Sequence, residues 1–345
     1  MPAMRIFPAA AVLFFSLLPL FPQSQGRSSG GPGYLPSARI VCPAEIKGFF
    51  KNYPDVRYNA VFDFEENDWR IDLAADLFFE RTARPRGEKS CVLYWAGGRL
   101  LPKEELANKE SYWVLQYSYN NTLRDPGTYT REEIERIKGF GSAESRRNSS
   151  GTPMFFFDFL YSAQSQRVIE EHIIQTTFLG RPTRIHERIW TPLKNVERKI
   201  LEAAGLSLER LSSAARMAGI PLETEADGSP LTRERREARE FAVTLKSADA
   251  YYWREIAGTS RKSFHSYGIA VDALPKKLGG KAIYWGWEKD RRGDEWMLTP
   301  LESRWTPGDT VIRIFESEGF IWGGYWTIFD NMHFEYHPEL VARGQ

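Results

Sequence analysis

The sequence predicts an α+β protein: a β-rich amino-terminal half, then helices, then a small antiparallel sheet near the carboxy terminus. Three observations carry this. Apolar residues alternate with polar ones between Arg57 and Leu73, the hydrophobic period lengthens to that of a helix after Gly180, and short strand-like runs return at Ile269–Ala273 and His333–Tyr336. No internal repeat is apparent.

Residues 1–26 stand apart from the fold. Arg5 is followed by the apolar run Ala9–Phe21 and then by Gln, Ser and Gly, the three-part layout of a secretory signal. The run is shorter than the roughly 20 residues of an ordinary membrane-spanning helix, and no Cys near its end offers a lipid anchor; an uncleaved anchor is the competing reading. The expectation is an exported chain, in periplasm or cell envelope, with no stable membrane span after signal cleavage.

Residues 27–36 are rich in Gly, Pro and Ser and read as a flexible lead-in to a β-rich domain, of no assigned role, over 27–180. Within it Tyr58, Ala60, Phe62 and Phe64 alternate with Arg57, Asn59 and Asp63. Glu65–Asp68 offers a turn, and Trp69, Ile71 and Leu73 then alternate with Arg70 and Asp72, which predicts a hairpin. Gly97-Gly98, between Val92–Trp95 and Leu100-Leu101, marks a second. Apolar runs follow at Tyr112–Tyr119 and Met154–Tyr161, and the polar stretch Arg124–Gly151 reads as a long exposed excursion.

The third segment, 181–345, opens with helices. Thr191-Pro192 supplies an N-cap and a first-turn Pro, Leu193, Val196, Ile200, Leu201 and Ala204 share one face, and Gly205 can close the helix. A second helix is expected from Ser207 toward Gly219 with Leu208, Leu211 and Ala215 inward. A third, from Thr232 to Lys246, carries a charged Arg/Glu run that reads as a solvated face, ahead of Phe241, Val243 and Leu245.

Composition excludes several functions. Of 345 residues, 46 are Lys or Arg and 45 Asp or Glu; removing 1–26 removes only Arg5, leaving equal numbers of each sign. Such a chain has no global field to draw nucleic acid or an anionic membrane. Two Cys exclude a Cys-based zinc module, so a metal site must use some of the five His with carboxylates. Cys42 and Cys91 can form a disulfide in an oxidising compartment or remain free thiols.

Three residues have ligand chemistry at the end of the chain: His265, Asp272 and His333. Two imidazoles and a carboxylate suit Zn²⁺, and three protein ligands leave one tetrahedral position open for water. Gly268 can turn the chain after His265, and Asp272 then shares a strand face with Ala270. A single turn between Asp330 and His333 would bring a second carboxylate close, as a general base. Each also has a structural reading, since a lone His is more often a hydrogen-bonded framework residue. His337 reads as a surface His at a strand end, and His172 and His186 as structural. His186-Glu187 lacks the second His of the helical zinc-protease motif. Trp322 and Trp326 are either core and turn residues or substrate-lining ones.

The string S-x-H-x-x-G-x-A-x-D from Ser263 to Asp272, followed by W-G-G-x-W and D-x-x-H-F-E from Trp322 to Glu335, resembles the zinc peptidase family that contains D-alanyl-D-alanine carboxypeptidases and phage-type L-alanyl-D-glutamate endopeptidases. The resemblance covers the last hundred residues or so. It implies zinc held by His265, Asp272 and His333, Asp330 as catalytic base, and Arg254 as the residue that binds a substrate carboxylate or the polarised carbonyl, with Arg261 a rival. It also implies that Ser263 supports the ligands beside the substrate. The base is commonly Glu in the carboxypeptidase branch and Asp in the endopeptidase-like branch, so Asp330 leans toward the latter. The expected fold is a small antiparallel sheet carrying the ligands with helices packed on one side, and the expected substrate a peptidoglycan peptide. A catalytically silent, zinc-stabilised binding protein of the cell envelope is the alternative, and oligomeric state is left open.

Overall fold

The alternation between Arg57 and Leu73 folds as a hairpin. In the computed structural model, which describes residues 41–77, 87–119, 123–140, 142–212, 219–225, 227–256, 259 and 261–341, β1 (Val56–Asp63) pairs antiparallel with β2 (Asp68–Asp76), Phe62 opposite Trp69. The Gly97-Gly98 turn joins β3 (Glu88–Trp95) to β4 (Leu100–Leu101), giving a sheet of order β1-β2-β3-β4. Ile71, Leu73, Leu93 and Trp95 turn inward, where Phe49 of α1 (Ala44–Phe50) packs on Trp95 with ring centroids 5.6 Å apart. The expected signal, 1–26, and the lead-in, 27–36, lie outside the described residues.

Beyond β4 the amino-terminal half departs from the β-rich expectation. The polar stretch 124–151 contains α2 (Arg131–Phe140) and α3 (Ala143–Asn148). Helix α2 starts in a capping box: Thr130 Oγ1 accepts from Glu133 N at 3.2 Å, and Glu133 Oε2 accepts from Thr130 N at 2.8 Å. The run Met154–Tyr161 is α4 (Phe155–Leu160), followed by α5 (Gln166–Glu170). An unbroken apolar run fits either period when all sides are covered; here Phe156, Phe157, Phe159 and Leu160 are all buried.

A two-stranded hairpin, β5 (Ile173–Phe178) with β6 (Arg181–His186), leads into α6 (Trp190–Ala204). Its expected face is buried and Gly205 closes it at φ 64°, but Thr191 sits inside the first turn and Ile189 occupies the cap position. In α7 (Leu208–Ser212) Leu211 is buried while Leu208 is exposed; Ala215 lies outside the described residues. Helix α8 (Arg233–Thr244), capped by Thr232, ends before Leu245, which opens β7 (Leu245–Asp249). Its charge run is mostly a solvated face with Arg233 paired to Glu237, but Arg239 is buried and donates to the carbonyls of Ala204 and Thr224.

The second sheet adds β8 (Ala270–Pro275), β9 (Phe320–Trp322) and β10 (His333–Tyr336), all antiparallel, in the order β7-β8-β10-β9. Around it lie α9 (Trp285–Arg292), α10 (Asp309–Glu316) and α11 (Pro338–Val341). Helix α10 buries Val311, Ile312 and Phe315, and Phe315 stacks on Phe334 of β10 at 3.8 Å. The arrangement is the mixed, small-sheet α+β fold expected. One apolar core runs from Phe49 to Phe334 across residue 180, and Val41–Gln345 forms one compact unit. No helix among the described residues is long and apolar enough to cross a membrane.

Candidate metal centre

Strand pairing sets two of the three ligand-type residues side by side. His333 on β10 lies directly opposite Asp272 on β8, and cross-strand neighbours are within side-chain reach. His265 arrives from outside the sheet on a single 3₁₀ turn, Phe264–Tyr267, opened by Ser263 Oγ accepting from His265 N at 3.3 Å. Gly268 closes that turn at φ 65°. A Cβ there would lie 2.7 Å from His186 N and 2.8 Å from Ile173 Cδ1, so the close approach of the β5–β6 hairpin requires glycine.

One donor atom each from His265, Asp272 and His333 lies within 4.8 Å of the others, so the three can hold a metal ion. The imidazoles are oriented for it. His265 Nδ1 donates to Ala250 O at 2.6 Å, which leaves Nε2 as the acceptor; that atom is buried, 3.2 Å from Asp272 Oδ2, and makes no aligned hydrogen bond. His333 Nε2 donates to Glu335 Oε1 at 2.9 Å, and Nδ1 faces Asp272 Oδ1 at 2.7 Å. A ligand His commonly has its second nitrogen held by a carbonyl or carboxylate in this way. Burial disfavours charge on Asp272, but His265 and His333 more than offset it and hold the carboxyl well below the usual range. Burial likewise opposes charge on His333, and Asp272 and Glu335 reverse this and raise the ring well above its ordinary range. An orphaned imidazole nitrogen facing a carboxylate and a second imidazole is a donor set that fits Zn²⁺.

Asp330 stands at the expected turn: His333 N donates to Asp330 O at 3.2 Å, and Asp330 N to Gly323 O at 3.1 Å. Its Oδ1 is buried with no hydrogen-bond partner among the described residues. Burial pushes this carboxyl up to about 7, His333 opposing and Asp272 adding to the shift, which is the range where a carboxylate exchanges protons near neutrality.

Residues 257–336 match the family model described as D-alanyl-D-alanine carboxypeptidase. The segment bearing the candidate metal centre is peptidase-like. Residues 45–116 match the model of a domain of unknown function. No curated protein and no solved structure gives a significant match to the chain.

Beside the centre opens a cleft of about 710 Å³ that reaches His265 and Asp272. Thr176, Thr183 and Arg184 of the β5–β6 hairpin wall it on one side, with Tyr251, Tyr252 and Arg254 also lining it. Arg254 is exposed, and its backbone is strapped to the ligand turn: Arg254 N donates to Ser266 Oγ at 2.9 Å and Ser263 N to Arg254 O at 3.1 Å. The rival Arg261 points elsewhere, donating to Ser150 O at 2.7 Å beside Trp113.

Other expected positions differ. Trp322 is 1% exposed and donates from Nε1 to Asn331 O at 2.8 Å, so it is a core residue rather than a lining one. Trp326 is half-buried with its ring 5.5 Å from that of His333. Ser263 is buried and caps the ligand turn, a task that leaves its hydroxyl inside the protein. His172 and His186 are framework residues: His172 Nδ1 pairs with Glu187 Oε1 at 2.8 Å, and His186 Nε2 lies 3.2 Å from Tyr161 O. His337 is buried, against the surface expectation, because Phe264 and Phe157 cover it, ring centroids 4.6 and 5.5 Å away, and Glu335 and Glu339 flank it. Glu335 went unremarked as a partner of His333, although strand parity puts residues 333, 335 and 337 on one face.

Proposed function

We propose that this chain is an exported, zinc-dependent peptidase that hydrolyses amide bonds in peptidoglycan stem peptides, in periplasm or cell envelope. The observation that carries the reading is the cluster of His265, Asp272 and His333 with Asp330, three residues before His333, whose buried Oδ1 has no hydrogen-bond partner among the described residues. Zinc held by those three side chains would supply Lewis acidity toward the scissile carbonyl and lower the pKa of water to about 7. Asp330 takes the proton of the attacking water and passes it to the leaving amine. Arg254, on the cleft wall, pairs with a substrate carboxylate or the developing oxyanion through its planar fork. Trp326, its ring 5.5 Å from that of His333, offers an apolar surface to the substrate. Aspartate in the base position favours an endopeptidase over a carboxypeptidase.

The test is mass analysis of purified muropeptides after incubation with zinc-loaded wild type and with Asp330→Asn. The wild type is expected to release new amino termini, and the variant to be slower by at least about 100-fold, the low end of what a general base contributes. A wild type that binds zinc yet cleaves no muropeptide would overturn the peptidase reading in favour of a silent envelope-binding protein.

A further inference from the structure

We propose that Tyr53, His337 and Glu339 are positioning residues of the metal centre, joined in a buried polar chain that starts just after the first helix and ends on His333. The inference rests on the metal-centre reading above. Tyr53 Oη donates to Glu339 Oε2 at 2.5 Å, and His337 Nδ1 donates to Glu339 Oε1 at 2.9 Å. His337 Nε2 lies 3.3 Å from Glu335 Oε2, and Glu335 Oε1 accepts from His333 Nε2 at 2.9 Å. Tyr53, His337 and Glu339 are 3%, 4% and 1% exposed. All three fall outside the peptidase-like match, and Tyr53 falls inside the segment of unknown function.

The physical case is one of fixed orientation. A buried carboxylate with an unpaired oxygen is costly and rotates toward whatever donor it can reach. His337 occupies Glu335 Oε2, so Oε1 stays aimed at His333 Nε2–H, which in turn keeps His333 Nδ1 facing Asp272 and His265. His337 is itself fixed by Glu339, and Glu339 by Tyr53. The same imidazole meets Phe264 edge to face at 4.6 Å, and Phe264 directly precedes the ligand His265. One buried ring therefore touches both elements that present histidine ligands. The amino-terminal segment would thus complete the centre without contacting the metal.

The experiment uses the full chain and a chromophoric zinc chelator as competitor. Tyr53→Phe removes one hydroxyl, and Glu339→Gln keeps an acceptor for Tyr53 but loses the charge facing His337. Both are expected to raise the zinc dissociation constant about tenfold, the low end for outer partners of a ligand, and to lower kcat with KM unchanged. A structural role alone would lower Tm and leave zinc affinity where it was; that result in a folded variant overturns the proposal. In the wild type, zinc addition should shift the ¹⁵N imidazole resonances of His337 as well as those of His333. An unmoved His337 overturns it even if both variants fail to fold. A wild type that takes up no zinc would instead sink the metal-centre reading itself.

Discussion

Tyr53 and Glu339, 286 residues apart, share a 2.5 Å hydrogen bond with both side chains buried. The contact joins the turn after the first helix to the last described helix, α11. It also meets a second demand on Glu339, which accepts from His337 through its other oxygen. Carboxylates and donors therefore alternate along the interior from Tyr53 to Asp272, with Glu339 and Glu335 each bracketed by a donor on either side.

That alternation predicts a pH-dependent stability. Burial opposes charge on His337, but Glu339 and Glu335 raise it to about 9 from the ordinary 6.5. A histidine with a raised folded pKa contributes stability that is fully present below pH 6.5 and is lost as pH rises through 9. Over that window the loss amounts to about 3 kcal/mol. Thermal melts are expected to show Tm of the wild type falling more steeply from pH 6.5 to 9 than that of His337→Asn, in which His333 and Asp330 still titrate. Parallel slopes would contradict the assignment.

Metal content separates ligand from framework histidines. His265→Ala and His333→Ala should lose the single zinc measured by atomic absorption, whereas His172→Ala, whose ring pairs with Glu187, should keep it. Equal zinc in all three would remove the ligand assignment.

Gly268 is expected to resist substitution. With φ 65° and a virtual Cβ 2.7 Å from His186 N, Gly268→Ala combines backbone strain with a backbone clash and should cost about 2 kcal/mol or more. Chemical denaturation measures this. A midpoint equal to that of the wild type would show that the hairpin yields freely.

Cys42 and Cys91 are both unpaired in this structure. Burial raises the Cys91 thiol to about 11, Lys89 partly opposing, so its thiolate fraction at pH 8 is about 100-fold below that of an ordinary thiol. Thiol titration with an aromatic disulfide should count two groups in denaturant and find Cys91 slow in the native protein. No free thiol in unreduced, denatured protein would mean that the pair is bridged.

The readable parts of the sequence were those where one period and one chemistry agree. The hairpin at Arg57–Leu73 and the buried face of α6 need only an apolar period, whereas the trio His265, Asp272 and His333 has ligand chemistry that spacing alone left open and that the family resemblance singled out. The Met154–Tyr161 run was ambiguous because Phe156, Phe157, Phe159 and Leu160 of α4 are all buried, which blurs periodicity. Helix α2 carried a readable signal in Thr130 and Glu133, masked by the polarity of its neighbours. His337 looked like a surface residue beside Pro338; its burial depends on Phe157 and Phe264, distant in sequence, and only strand parity with His333 hinted at it. Trp322 and Trp326 could not be told apart, since the burial of one and the partial exposure of the other arise from packing alone.

Asp272 lies between two imidazoles, bonded to His333 and within ion-pair distance of His265. Unlike small modules that collapse only around their ion, this chain surrounds the trio with an apolar core that runs from Phe49 to Phe334 and needs no ion to pack. Chelation should then silence the protein without unravelling it, and the silenced form should be recoverable by simple reloading.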